Sequence, residues 1–551
     1  MTFLTPSLMS GADWWRFERA VARAISHCGW SDVQLVGGTG DQGADLLATR
    51  SDPTGEVRPW IIQVKAVTGG GYVGVEAIKE AVNAMSFYGA KSAAVATNGD
   101  FTQSALRRRD ELAKNGFDIK LWNGTFLSTL LAKWPELHWQ RRELRPYQQR
   151  IVQALSKSYH NGDARGQFIM ATGLGKTVVA AEFTRAMFDQ GAKNALVLCH
   201  SQDLALQLEQ AFWPHLKSSE TTSVFFDGKP PSQKDGVTFG LYQTLLGYLP
   251  SIEPSFFDIV IVDEAHHALA QGFQSCVNQL KPKYLLGMTA TPWRGDGDSI
   301  DRLFGPPLET VSLVEGMALG FLTEVDYRMF CDNIDWEKIP QLSKQNLTIR
   351  DLNRRLFLPQ RDEAALAEII SAAGEVGKPR IIVFSPSISH AEKFADILSA
   401  SGIPAKNISG VKRLDRQAAL MEFSSGRIQA LTAVDLLNEG IDVPDVNIIA
   451  FMRATHSRRI FVQQLGRGLR LAPDKPKTIV LDFVSDLRRI SEVVSMNEEA
   501  KRSDPAPEAI YIKDGFVTFS DQKAETLAKE WIADVADLDA NDSSKLVFPG
   551  I

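Results

Sequence analysis

The sequence predicts an α/β protein of several compact units, two of them parallel-sheet domains. Strand-like and helical patterns alternate through most of the chain, and repeated strand–turn–helix units fill residues 140–300 and again 375–490. At 551 residues the chain also exceeds what one hydrophobic core can organise, which implies about three or four units. We therefore expect a mixed α/β domain over 1–135, a first parallel-sheet domain over 136–304, a connector over 305–370, a second parallel-sheet domain over 371–490 and an acidic tail over 491–551.

The elements follow from local pattern. In "WWRFERAVARAI", Trp14, Phe17, Val21, Ala24 and Ile25 share one helical face. Strand-like "VQLV", "ADLLA" and "WIIQVKAV" come next, then helical "VEAIKEAVNAM", strand "SAAVATN", helix "TQSALRRRDELAKNG" and strand "FDIKLW". Pro135 and Pro146 break the pattern and mark a linker. Beyond residue 495 the chain is Asp-rich with weak periodicity.

Composition narrows the setting. The chain is 44% hydrophobic and 23% charged, an ordinary globular balance, and no window approaches the roughly 18 apolar residues of a membrane span. The opening residues lack a basic region followed by an apolar core, so no secretory signal is expected. Cys28, Cys199, Cys276 and Cys331 are too scattered for a disulfide framework or a paired-cysteine zinc site, which fits a reducing cytoplasm. The net charge of −6 resides in the tail after residue 494, so the body is neutral overall. A neutral body can still carry a basic groove, because phosphate affinity depends on local Lys and Arg clusters.

The stretch "GGTGDQGAD" contains Gly38, Gly40 and Gly43 in the G-x-G-x-x-G spacing of a dinucleotide loop. That loop needs a long helix behind it, so that the helix N-terminus meets the pyrophosphate. Here "ADLLATR" runs into the turn cluster "SDPTGE" and then into "WIIQVKAV", which reads as strand, turn, strand. A nucleotide role for this loop is rejected. The hairpin instead sets Gln63 and Lys65 on one strand face, with Ile62 and Val64 on the other. Asp45 joins them if its strand lies alongside. An acid to hold Mg²⁺ against a phosphate, and a cation to offset developing charge, are what a metal-dependent phosphodiesterase requires.

The pattern "FERAV…GW…GGTGDQGADLL…WIIQVKA…VATNGDFTQSALRRRDELAKNGFDIKLWNG" resembles the Mrr-type restriction endonuclease domain, a branch of the PD-(D/E)xK nuclease fold, over residues 10–135. The resemblance implies an active centre of Asp45, Gln63 and Lys65. Gln63 stands where related nucleases carry an acid. A unit pair at about 4 Å is worth roughly 4 kcal/mol at an effective dielectric near 20, so a lost charge matters. Glu18 is the candidate to supply it, against the alternative of a solvated helix residue. The run Arg107-Arg108-Arg109 is a solvated helix face or part of a phosphate track.

A second glycine loop, "MATGLGKTVVAAEF", has the context the first lacks: strand-like "QFIM" before it and a long amphipathic pattern after it. Its amides, with Gly173 and Gly175, can wrap a triphosphate, Lys176 can reach the β/γ-phosphates and Thr177 can hold Mg²⁺. Ala171 replaces the first glycine of the pattern, a change expected to be tolerated. "FDIVIVDEAHHAL" is a buried strand that ends in Asp263, a second Mg²⁺ anchor, and Glu264, positioned to polarise water.

Residues 143–490 resemble superfamily 2 helicases and translocases with the DEAH signature, which implies two RecA-like domains. "LRPYQQ" matches the adenine-side motif through Arg145 and Gln148; "LVLCHSQDLALQ" and "FGLYQTLL" match the backbone-contacting motifs; Thr289-Ala290-Thr291 matches motif III; "RIIVFSPSISHAEKFADIL" matches motif IV. Gly440 and Asp442 fall in motif V, and Gln463, Arg467 and Arg470 in motif VI. Arginine fingers contribute about 10³–10⁵ in rate, and two that lie so far along the chain from Lys176 require a second domain to close over the nucleotide. His266 and His267 are not read as metal ligands, and Trp293 and Phe451 are read as packing residues.

Together these imply an ATP- and Mg²⁺-dependent DNA endonuclease coupled to a translocase, similar to restriction-enzyme motor subunits and expected in restriction or anti-phage defence. Duplex DNA is the expected partner, with RNA left open. No N-P-P-Y methyltransferase motif is present. Site selection is therefore expected from a partner protein, from modified bases, or from DNA ends. Two alternatives remain at this point: a repair or remodelling helicase whose nuclease-like domain only binds DNA, and an ATP-gated nucleic-acid sensor acting through a partner.

Overall fold

Strands Leu46–Ser51 and Val57–Lys65 form the hairpin that the sequence suggests, paired antiparallel with Leu46 opposite Ile62. This is a computed structural model that describes residues 2–483 and 510–511, apart from 12, 37–42, 52–54, 69, 134–137, 139–140, 142, 226–234, 291–299, 330–361, 412, 435–445, 453–474 and 476. The hairpin lies inside a five-stranded sheet ordered Ser31–Leu35, Leu46–Ser51, Val57–Lys65, Ser92–Thr97, Asp118–Trp122. The last three strands are mutually parallel. Ser92–Thr97 is buried at every residue, as a strand covered on both faces must be. Helix Trp14–His27 is capped by Asp13, whose side chain accepts from the Arg16 N–H, and it packs Phe17, Val21 and Ile25 against Trp30, Trp60 and Ile62. Trp14, grouped with that face in the sequence, is instead 58% exposed, because it opens the helix before the first turn reaches the core.

The second sheet has seven strands ordered Thr222–Phe225, Gly236–Leu241, Asn194–Cys199, Ile259–Asp263, Tyr284–Thr289, Arg165–Met170, Pro307–Val311. The third also has seven: Ala405–Asn407, Ala430–Ala433, Ile381–Phe384, Ile448–Phe451, Lys477–Asp482, Glu324–Met329, Ile510–Tyr511. All pairings in this third sheet are parallel. Its core gathers Ile369, Ile381, Val383, Phe394, Ile448 and Leu481. Phe451 is buried and stacks on Phe384 at 5.3 Å, so it packs as the sequence suggests; Trp293 lies outside the described residues. The segment expected as a connector supplies Pro307–Val311 to the second sheet and Glu324–Met329 to the third. Ile510–Tyr511, inside the expected tail, pairs with Val325–Asp326. Pro307–Val311 and Ile510–Tyr511 carry no periodic signal of their own; they are short and gain their order from a neighbour already in place.

By contact the chain divides into two units: Met1–Ala164 with Thr177–Ile261 and Ser275–Leu285, and Arg165–Lys176 with Val262–Gln274 and Leu286–Ile551. In the first unit a buried ion cluster ties down the segment read as a linker. Glu182, on helix Lys176–Phe188, accepts two hydrogen bonds from Arg141 (3.0 and 3.1 Å), two from Arg185 (3.2 and 2.9 Å) and one from His215 (2.9 Å). Burial alone would raise this carboxyl; the bonds from His215, Arg141 and Arg185 outweigh burial and hold it down at about 2. Its folded value therefore lies below the ordinary 4.5, so its contribution is complete above that value and is lost as pH falls toward 2. In urea unfolding between pH 5 and about 2, wild type should lose stability more steeply than Glu182→Gln; parallel curves would contradict this assignment.

Candidate nuclease and nucleotide sites

Asp45 immediately precedes strand Leu46–Ser51 and is fixed by the backbone on both sides. Its N–H donates to the Ile62 carbonyl at 3.1 Å, and its carbonyl accepts from the Val36 N–H at 2.9 Å. The side chain, 8% exposed, crosses to the neighbouring strand, where Oδ2 accepts from Gln63 Nε2 at 2.7 Å and from the Val64 N–H at 2.5 Å. The structure thus brings Asp45 and Gln63 together. Gln63 is 3% exposed, and its Oε1 is buried with no hydrogen-bond partner. A buried carbonyl oxygen in that state, in a group bonded to a carboxylate, is an oxygen donor of the type Mg²⁺ takes. Among the described residues no three His, Cys, Asp or Glu side chains gather as a metal-binding group. The donors available here are thus a mixed carboxylate and amide set.

Lys65 leaves the same strand half-exposed, and its Nζ pairs with Glu80 Oε2 at 2.6 Å. Glu80 is the acid that sequence reasoning missed: it lies on helix Val75–Tyr88, in a pattern that reads only as amphipathic. That helix also explains Gly43. The residue has φ +86°, and a Cβ on it would lie 2.6 Å from the Glu80 carbonyl oxygen. The third glycine of the first loop thus serves close helix packing; Gly38 and Gly40 lie outside the described residues. Glu18 is 4% exposed on helix Trp14–His27, so it is not a solvated residue. In the arginine run, Arg108 pairs with Glu111 (3.0 Å) and Arg109 with Asp110 (2.6 Å), both at the surface, as a solvated helix face does.

The second glycine loop joins strand Arg165–Met170 to helix Lys176–Phe188, which Lys176 opens and Thr177 follows. Gly173 and Gly175 have φ +89° and +92°, a backbone that side chains other than glycine rarely adopt. Ala171 keeps an N–H bond to the Val311 carbonyl at 3.0 Å and is 4% exposed. The position that departs from the glycine pattern is therefore held as a continuation of the sheet. Thr172 Oγ1 is buried with no hydrogen-bond partner, a donor suited to a phosphate oxygen.

Asp263 ends the fully buried strand Ile259–Asp263 and is itself 6% exposed. Glu264 follows in a left-handed conformation, φ 47° and ψ 56°. For a residue with a Cβ this is strained backbone, of the type that clusters at functional sites. His266, fully buried, bonds Thr289 Oγ1 through Nδ1 at 2.9 Å and approaches Glu264 Oε2 at 3.4 Å, while Thr289 Oγ1 reaches that oxygen at 3.5 Å. Glu264 is thereby linked to the end of strand Tyr284–Thr289, a link the sequence did not reveal. Gln148, 6% exposed, accepts from the Arg145 N–H at 3.0 Å, which fixes its amide at the start of helix Pro146–His160. Thr291, Gly440, Asp442, Gln463, Arg467 and Arg470 lie outside the described residues.

Sequence comparison agrees with this division of chemistry. Residues 9–131 match the restriction endonuclease catalytic profile, 141–294 the type III restriction enzyme res subunit, and 363–472 the helicase conserved C-terminal domain. The chain is 24% identical over 357 residues to a Saccharomyces cerevisiae protein named for an ATP-dependent helicase, IRC3, covering 62% of this chain and 51% of that one. It is 25% identical over 394 residues to the type I restriction enzyme EcoKI endonuclease subunit of Escherichia coli K12, covering 61% and 34%. It thus spans about half the length or less of these two relatives. Among solved structures, the DNA-bound ATP-dependent Type ISP restriction-modification enzyme LlaBIII shares the fold, with a TM-score of 0.50 at 17% identity over 88% of this chain and 37% of that one. The chain therefore carries a restriction-endonuclease domain fused to a superfamily 2 helicase, as the sequence motifs imply.

Two substitutions test the geometry. Gly43→Ala should destabilise the N-terminal sheet by about 1–3 kcal/mol, because left-handed backbone and a helix carbonyl both oppose the new Cβ. Thr289→Val removes the 2.9 Å bond between Thr289 Oγ1 and buried His266 Nδ1 and should cost about 1–3 kcal/mol in chemical unfolding. Unchanged midpoints in either would show that the contact carries nothing.

Proposed function

We propose that this chain is an ATP-dependent DNA endonuclease: a superfamily 2 motor moves on duplex DNA, and the N-terminal centre cuts it, in restriction or anti-phage defence in the cytoplasm. The observation that carries the cutting half is the Asp45–Gln63 pair, a buried carboxylate bonded to an amide whose oxygen has no partner. Mg²⁺ bound there would act as a Lewis acid on the scissile phosphate. Asp45 and Gln63 would hold the ion, and Lys65 would orient the attacking water and offset charge on the phosphate. Glu18 would restore the negative charge that Gln63 lacks.

In the motor, Lys176, Gly173 and Gly175 bind the triphosphate, with Arg145 and Gln148 on the adenine side. Thr177 and Asp263 would hold Mg²⁺, and Glu264 would polarise the attacking water. Gly440, Asp442 and Gln463 would complete the nucleotide site. Arg467 and Arg470 would stabilise charge on the transferring phosphoryl group when the second domain closes. Closure on ATP and reopening after hydrolysis would move the chain along the strand. Site selection would come from a specificity or defence partner.

The test compares wild type, Asp45→Ala and Glu264→Gln on supercoiled and linear duplex DNA with Mg²⁺ and ATP. Asp45→Ala should hydrolyse ATP at the wild-type rate and cut at least about 10²-fold more slowly, whereas Glu264→Gln should lose both activities to a similar degree. Wild type that hydrolyses ATP but nicks neither modified nor unmodified DNA would overturn the cutting half.

A further inference from the structure

We propose that the buried Arg19–Glu209 ion pair is a positioning device. It fixes the nuclease helix Trp14–His27 to the motor helix Gln202–Phe212, so that the state of the motor reaches the Asp45 centre. The proposal rests on the functional reading above. Arg19 Nε lies 2.8 Å from Glu209 Oε2, and Arg19 Nη2 lies 3.4 Å from Oε1. The two side chains are only 5% and 1% exposed, although 190 residues separate them in sequence. Glu209 Oε1 also accepts from Thr222 Oγ1 at 2.7 Å, which ties in the edge strand of the seven-stranded sheet. One helical turn on, Arg23 donates to the carbonyls of Glu220 (2.8 Å) and Lys217 (3.2 Å). Trp213, just past the end of the motor helix, sits in the nuclease core with Phe17, Trp30 and Trp60.

This seam lies between two working parts. The motor helix begins just after strand Asn194–Cys199, whose sheet neighbour is the strand that ends in Asp263. Asn194–Cys199 runs parallel to its other neighbour Gly236–Leu241, and ligands of parallel sheets bind at the carboxyl edge, so the helix starts at that edge and Glu209 lies near its far end. On the other side, Arg19 follows Glu18 directly, and the same helix packs Phe17 and Val21 with Ile62 and Val64, which flank Gln63 on its strand. A slide or rotation of the helix moves Glu18 and presses on that strand. Adhesion alone does not call for a charge pair here, because apolar side chains would join the surfaces without desolvating two ions. A two-pronged guanidinium–carboxylate bond adds a single register and direction.

The test uses the full chain as wild type, Glu209→Gln, the apolar double variant Arg19→Met/Glu209→Leu, and the reversed pair Arg19→Glu/Glu209→Arg. Amide hydrogen exchange of residues 14–27 is followed with and without a non-hydrolysable ATP analogue and duplex DNA, beside ATPase and cleavage assays. Wild type should show a ligand-dependent exchange change in that helix. Glu209→Gln and the apolar variant should keep wild-type ATPase, lose the exchange response, and cut about tenfold more slowly at unchanged KM for DNA; the reversed pair should recover part of both. The apolar variant keeps a packed seam, so the test holds even if Glu209→Gln fails to fold. Retention of the exchange response and of cleavage in the apolar variant would overturn the proposal, as would a wild-type helix that never responds. A wild type that responds but cuts no DNA would leave the coupling standing and sink only the nuclease reading.

Discussion

One strand register governs the N-terminal chemistry. Leu46 lies opposite Ile62, and this places Asp45 where its carboxylate reaches Gln63 and the Val64 amide. Side chains alternate across a strand, so a slip of one residue would carry Gln63 to the opposite face, away from the Asp45 carboxylate. Burial resists that slip: Ile61, Ile62 and Val64 are 1%, 0% and 8% exposed, and the strand between Leu46–Ser51 and Ser92–Thr97 has neighbours on both sides. The apolar core thus sets the polar site.

The nucleotide half depends on backbone more than on side-chain pairing. Gly173 and Gly175 occupy left-handed conformations on one loop, and Glu264 occupies one without being glycine. A strained residue persists only where its surroundings over-determine it. Here the His266–Thr289 bond and the buried strand before Asp263 supply that constraint. The arrangement keeps Asp263 at the end of a rigid strand and the Glu264 carboxylate beside it.

Much of this was legible in the sequence because the signals are local. Strand-forming runs on either side of a turn cluster marked the hairpin, the glycine spacing marked the second loop, and an apolar run ending in Asp-Glu marked the strand of Asp263. The rejection of the first glycine loop also came from local context, and Gly43 does pack against a helix. What could not be read were pairings set by distance in sequence. Glu80 meets Lys65 only because a helix returns over the sheet, and Arg19 meets Glu209 across 190 residues. Trp14 was misplaced for the opposite reason: helical periodicity says which face a residue shares, and not how far the covered surface extends. The short strands Pro307–Val311 and Ile510–Tyr511 exist through their partners alone.

In the function proposed above, the Asp45–Gln63 corner is a metal-dependent cutting centre on a chain that also carries a motor. Anomalous diffraction from crystals of the full chain soaked in Mn²⁺ tests it most directly. A peak is expected within bonding distance of the Asp45 carboxylate and Gln63 Oε1, and it should be lost in Asp45→Asn. A peak beside Thr177 and Asp263 with none at Asp45 would contradict it, leaving a motor attached to a fold that does not cut.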